Sequence, residues 1–428
     1  MSASTSKANG MKANDMDVAL PHVDRAKLIE RVIALVNVPS PTGEEAAMAR
    51  AYGAMMSEIG MRTVLQPIGD DRYNVLGFLD GSGGGKSLMF NGHLDTSFGG
   101  ELGERGIGFR TEGRLVDDEW IYGMGSFNMK NALAAYVTAV EAVRAAGVRL
   151  AGDVVIAGVA GEIEKSPVGD FDHRKFQGYG VGTKHALAHG AVADFCVLGE
   201  PTNLNLVLAH AGSAWVKITV PGMLAHTAWA DPAKNAIVHA SRIVEALNRW
   251  IAGYQKQHTR GAFYPRVNIA AVEGGWPWRG ARSPDACSIY VDVRTPPDML
   301  PIEVLRAIRG VVADVKLDGA AGAATVELYC SNPGTSIDES CELVSHITSA
   351  HTAEFGRAPD RVVENWYSDA AHLNRYGIRS VNYGAAGRIR TGGAGWSTHQ
   401  GEHVHVGDLL AMTRIYTRLI LRICGAAV

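Results

Sequence analysis

Three short apolar runs end on ionisable residues: "KSLMFNGHLD" (86–95), "DVVIAGVAGE" (153–162) and "DFCVLGEPT" (194–202). This feature constrains the fold more than any other. Each run reads as a strand, as does "YNVLGFLDG" (73–81) before them, and helix-like runs such as "KNALAAYVTAVEAVRAAG" separate several of them. The alternation predicts an α/β domain with a largely parallel sheet. Open sheets of that kind take ligands at the carboxyl ends of their strands. His93, Asp95, Glu162 and Glu200 all fall at such ends, and strand alternation points His93 and Asp95 the same way.

The pattern changes near Gly212. "SAWVKITVPG" alternates as a strand, "NAIVHASRIVEALNRWI" is an amphipathic helix, and "FYPRVNIAAVEGG" and "ACSIYVDVRTPP" are strands followed by the helix-like "PIEVLRAIRGVVADV". Two strands and a helix, repeated, predict an inserted α+β sandwich. The chain is too long at 428 residues for one ordinary core. The expected division is a polar tail at 1–21, a catalytic domain at 22–211 that resumes at 330–428, and the insert at 212–329.

The formal charge of −3 gives no footprint for nucleic acid or a membrane surface, and no apolar run reaches membrane-spanning length. Five scattered cysteines without a CxxC pair argue for a reducing compartment, and the polar start lacks the apolar core of a secretory signal. A cytoplasmic enzyme is the expectation.

Near the carboxyl end, "GWSTHQGEHVHVGDL" adds His399, Glu402, His403 and His405 to the strand-end acids Glu162, Glu164 and Glu200. Taken singly, each is more often a solvated or structural group. Together, two histidines and several carboxylates at strand ends are the ligand set of a divalent-metal hydrolase.

The order of motifs resembles the metal-dependent aminoacylase and carboxypeptidase superfamily, which includes acetylornithine deacetylase, succinyl-diaminopimelate desuccinylase and glutamate carboxypeptidase. "GHLDT", "GMGSFNMKNALAAYV", "GEIEK", "LGEPT", "GMLAHTAWADPAKNAI", "VDVRTPP", "YSDAAHLNRYGI" and "THQGEHVHV" fall in family order from about Val23 to Ile423. The resemblance implies a zinc-peptidase-like catalytic domain split by a lid that dimerises. It implies that His93 and Glu200 hold one metal, that Glu164 and His399 hold a second, and that residue 128 bridges them. Asp95 would orient His93. His226 would reach a catalytic cleft from the lid, often that of the partner subunit, and Arg294 would bind a substrate carboxylate.

Three departures bear on the chemistry. The family's bridge is an aspartate, whereas Asn128 has one acceptor oxygen and a donor NH₂ that repels a cation. One divalent transition metal per subunit (Mn, Zn or Co) is therefore expected, on His93, Asn128 and Glu200, leaving Glu164 and His399 for proton transfer or substrate contact. In "GEIEK", Ile163 separates the two glutamates that the family has adjacent, so either Glu162 or Glu164 must serve as base. The insert carries "GGWPWRGARSP", with Trp276, Trp278, Arg279 and Arg282, and Trp366 and Trp396 lie near other motifs. Indole beside guanidinium suits a flat anionic aromatic ligand, although packing of the lid or of a subunit interface would use the same tryptophans.

These departures resemble the nitroanthranilate aminohydrolase branch. The expected activity is hydrolytic deamination of an aromatic amino acid, nitroanthranilate to nitrosalicylate and ammonia. Alternatives are an N-acyl amino acid deacylase or dipeptidase, and a non-catalytic binding protein with a decayed site.

Overall fold

The computed structural model describes residues 16–317, 319–388 and 401–425. The chain forms two compact units. One comprises Met1–Leu208, Ile337–Arg361 and Ser368–Val428, and the other Ala209–Ser336 with Val362–Tyr367.

The first unit is built on a sheet in the strand order Arg62–Gly69, Arg72–Leu79, Val154–Val159, Leu88–His93, Phe195–Leu198, Arg379–Asn382, Leu206–His210. Only the centre is parallel: Leu88–His93 runs parallel to both its neighbours, and Arg379–Asn382 parallel to Phe195–Leu198. The flanking pairs are antiparallel. One reason is a tight hairpin the apolar pattern did not signal. Asp70 and Asp71 take φ of 48° and 54°, the two left-handed positions of a two-residue turn joining Arg62–Gly69 to Arg72–Leu79.

The central strands are wholly buried, as their unbroken apolar runs require. The helices Lys130–Ala145 and Val406–Cys424 belong to the same core. Phe90 stacks on Tyr136 at 4.8 Å and lies 5.2 Å from Tyr416. The Tyr136 hydroxyl donates to the Asn91 carbonyl (2.9 Å) and accepts from the Gly199 amide (2.6 Å). One phenol thus ties together the two strands that end in His93 and Glu200. Glycine is needed here for close approach: a Cβ on Gly92 would lie 2.8 Å from Leu133 Cδ2, and one on Gly199 would collide with Ala132 and Tyr136.

The second unit has a four-stranded antiparallel sheet in the order Val267–Gly274, Ala286–Thr295, Gly212–Pro221, Thr325–Asn332. Gly212–Pro221 alternates buried and half-buried residues. Its inner face shares a core with the helices Ala236–His258 and Pro301–Ala313 through Val216, Ile218, Ile243, Leu247, Ile289 and Ile308. This is the α+β sandwich that the alternation implied. Among the described residues no helix is long and apolar enough to cross a membrane.

Candidate active site

His93 ends the strand Leu88–His93 and its side chain is fully buried. Glu162 follows the neighbouring strand, and Glu200 follows the strand on the other side. Parallel pairing therefore delivers all three residues to one end of the sheet. They form one group whose ligand-type atoms lie within 4.8 Å of one another, and all three are buried. His93 Nε2 stands 3.9 Å from Glu162 Oε2 and 3.0 Å from Asn128 Oδ1.

The electrostatics of this group call for a cation. Burial raises the Glu162 carboxyl well above the usual range, and Glu200, Asp369, Glu164 and Asp95 raise it further. Glu200 is pushed up to about 7 by burial, against the pull of His93 and with the push of neighbouring acids. Burial lowers His93, but Glu200, Asp95 and the hydrogen bond to Asn128 outweigh it, so the imidazole is held above its ordinary value. Without a metal, both ring nitrogens face acceptor oxygens and the ring is best satisfied as imidazolium. A dication would replace the Nε2 proton and relieve the repulsion among the acids. The donor set of imidazole and carboxylate suits a divalent transition metal.

Asp95 works differently from its implied role. Its main-chain carbonyl, not its carboxylate, takes the His93 Nδ1 hydrogen bond at 2.8 Å, while the carboxylate stands 3.7 Å away. The carboxylate instead accepts from the amides of Glu162 (3.1 Å) and Ile163 (3.0 Å) and from Thr42 Oγ1 (2.9 Å). One aspartate thus orients the histidine through its backbone and fixes the Glu162 turn through its side chain. The side chain of Ile163 is buried and Glu164 is exposed.

Some residues of the quoted motifs take tasks that the motif reading did not assign. Asp369 is buried, accepts from Thr183 Oγ1 at 2.6 Å, and is pushed up to about 6, chiefly by burial. Its signal was the aspartate in "YSDAAHL", but its partner is 186 residues away in sequence. Glu402, expected only as a candidate ligand, receives the amides of Gly125, Phe127 and Asn128. Lys130 is buried, donates to the Val38 carbonyl at 2.7 Å and is lowered to about 7 by burial. His403 stacks on Tyr122 at 5.2 Å with Nδ1 bonded to the Gly401 carbonyl, and His405 caps the last helix through the Asp408 amide. Both histidines thus have structural partners. His399 and Trp396 lie outside the described residues.

The second unit carries His226, Arg279, Arg282 and Arg294. His226 pairs directly with Arg282 across a short two-stranded ribbon, and its ring lies 5.3 Å from that of Trp229. Arg279 ends a single helical turn that includes Trp278, and both side chains are exposed. Trp278 is 77% exposed and Trp229 82%, so neither packs the sandwich core. Trp366 stacks on His210 at 6.1 Å. Arg294 is mostly buried and donates from Nε to Asp292 at 3.0 Å.

Comparison with known proteins agrees with this geometry. The profile of peptidase family M20/M25/M40 matches residues 89–422. The chain is 27% identical to a succinyl-diaminopimelate desuccinylase of Gluconacetobacter diazotrophicus, over 91% of this chain and 95% of that one. It is 26% identical to an acetylornithine deacetylase of Myxococcus xanthus, over 54% of this chain and 58% of that one. Among solved structures, a di-peptidase of Saccharomyces cerevisiae superposes with a TM-score of 0.75 at 12% identity, covering 96% of this chain and 99% of that one. A tripeptidase of Staphylococcus aureus gives 0.71 at 16%, covering 94% and 99%. These structural likenesses concern the fold. The family match spans both the strand-end cluster and the inserted unit, and the chain belongs to peptidase family M20/M25/M40, the metal-dependent hydrolases of carbon–nitrogen bonds.

Proposed function

We propose that the chain is a single-metal aminohydrolase that removes the amino group of a small, electron-poor aromatic carboxylate such as nitroanthranilate. The observation that carries this reading is the Trp276–Arg282 segment, in which Trp276, Trp278 and Arg279 are exposed and Arg282 pairs with His226 across a short ribbon. Such a surface suits stacking on a flat ring and binding its carboxylate.

His93 and Glu200 would hold the metal, with the Asn128 oxygen beside it. A divalent metal there supplies Lewis acidity that activates water near neutral pH. The neutral Asn128 in the bridging position favours one metal over two. Glu162 is the better-placed proton carrier: it is buried within the cluster, while Glu164 is exposed. It would take the proton of the attacking water and return it to the departing nitrogen, giving a ring hydroxyl and ammonia. Arg279 and Arg282, with Arg294, would anchor the carboxylate, and His226 would face the ring substituents.

We further infer a homodimer formed through the second unit. Its edge strand Val267–Gly274 is largely exposed, and Ile237 and Val238 are exposed on the adjoining helix. His226 would then serve a cleft in trans, and mixing inactive His226→Ala and His93→Ala variants should restore part of the activity.

The second reading is hydrolysis of an N-acyl amino acid or dipeptide, as the names of the desuccinylase, deacetylase and di-peptidase relatives suggest. A panel of nitroanthranilate, N-succinyl-diaminopimelate, N-acetylornithine and dipeptides in labelled water separates the two. Deamination predicts ammonia and a ring hydroxyl carrying the label. Efficient amide cleavage with no attack on the aromatic amine would establish the second reading.

A further inference from the structure

We propose that Glu402 is a positioning residue that sets Asn128 against His93; the inference rests on reading these two residues as part of the metal centre. Glu402 is 4% exposed. One of its oxygens, Oε2, accepts from the amides of Gly125 (2.8 Å), Phe127 (3.2 Å) and Asn128 (3.1 Å). Its own backbone is pinned, because its amide donates to Gly108 O and its carbonyl accepts from Gly123 N. The same turn is held from within by Asn131, whose Nδ2 donates to Ser126 O (2.7 Å) and Phe127 O (2.9 Å), and by the Lys130 amide, which donates to Gly125 O (2.8 Å). These local bonds close the turn on itself. Among the described residues, Glu402 ties the turn to a chain segment more than 270 residues away, beside the Lys130 bond to Val38 O and the Met124 amide bond to Arg110 O, and so helps set where Asn128 Oδ1 stands relative to His93 Nε2.

The requirement is one acceptor oxygen at the full reach of a glutamate side chain. Glutamine supplies that oxygen, aspartate is a methylene too short, and alanine has none. A role that depended on the negative charge would rank the variants differently, with glutamine failing alongside alanine.

The test uses the full-length protein, freed of metal, as wild type, N128A, E402Q, E402D and E402A. Cobalt(II) is titrated in and its visible ligand-field spectrum recorded, and amide exchange at 125–128 is followed before metal is added. E402A and E402D should weaken cobalt binding by about 10–100-fold, the range for groups that orient ligands. Both should shift the spectrum in the direction N128A shifts it, and their 125–128 amides should exchange faster. E402Q should resemble the wild type in all three readouts. Should E402A not fold, the contrast between E402Q and E402D carries the same test. An E402Q protein as impaired as E402D, or an E402D protein with a wild-type spectrum, overturns the inference while the metal centre stands. An unchanged spectrum in N128A removes Asn128 from the centre and overturns it too. A wild type that binds no cobalt overturns the metal-centre reading and this inference together.

Discussion

The two units keep their candidate functional groups in opposite conditions. In the first, His93, Glu162 and Glu200 are 1%, 6% and 5% exposed, and His93, Asp95 and the Glu162 turn are held by hydrogen bonds. In the second, Trp229 and Trp278 are 82% and 77% exposed, and Arg279 is exposed as well. The first unit builds its site before any substrate arrives, so its cost is the burial of acids that a cation must offset. The second presents aromatic and cationic surface whose gain comes only when something covers it. Changes in the first unit should therefore damage metal binding and chemistry, and changes in the second should damage substrate recognition at constant stability.

The largest effect to break this contrast is at the cluster. His93→Ala and Glu200→Ala should each lower metal-dependent turnover by more than about 100-fold, beyond the cost of losing a supporting residue. Glu162→Gln should lose turnover as severely while keeping its metal, as read by metal content after dialysis. If it loses the metal instead, Glu162 is a ligand. The next effect is on stability. Arg72 and Glu45 form a buried ion pair at 2.6 Å, and Arg72 also donates to the carbonyls of Arg174 and Gln177 beyond the Glu162 turn. Removing one partner of such a pair strands the other, so Arg72→Ala should cost about 3–5 kcal/mol in urea unfolding.

Effects in the second unit are smaller and of a different kind. Arg282→Ala should cost about 1.5–3 kcal/mol in kcat/KM for a carboxylate-bearing substrate, the worth of a hydrogen bond to a charged group, with an unchanged unfolding midpoint. A fall in stability without a fall in kcat/KM would make Arg282 a structural partner of His226 only.

The smallest effect is a pH dependence confined to the metal-free protein. Glu200 and Glu402 are each pushed up to about 7 and Asp369 to about 6, chiefly by burial. A carboxyl raised on folding stabilises the fold fully below its unfolded value, and that contribution is lost as pH rises through the folded one. His93, raised as well, acts in the same direction. Lys130, lowered to about 7, acts oppositely, but only above that pH. Metal-free protein should therefore lose stability between pH 5 and pH 7. Saturating metal should abolish the part of the loss that comes from Glu200 and His93, because the metal competes with protons for those ligands. Stability that stays level or rises over that window without metal would contradict the burial of these acids.

These effects also mark what was legible in the sequence. His93, Glu162 and Glu200 were readable because an apolar strand of known direction places its last polar residue at one edge of the sheet. The sandwich was readable because Gly212–Pro221 alternates in sequence as it does in burial. The hairpin of the antiparallel flank was missed because it depends on two consecutive aspartates adopting left-handed conformations, which a polar pair does not announce. The tasks of Asp95, Asp369 and Glu402 were hidden for another reason. Their hydrogen bonds to Ile163, Thr183 and Asn128 span 68, 186 and 274 residues, so only the folded chain brings the partners together. The different settings of Glu162, buried, and Glu164, exposed, were closed to sequence as well, since two glutamates one residue apart read alike.

The central claim is that the first unit holds one metal ion, because Asn128 cannot bridge two. Elemental analysis of fully loaded, dialysed protein tests it most directly. The account predicts one divalent transition metal per subunit, lost on His93→Ala or Glu200→Ala. Two tightly held metals per subunit would contradict it.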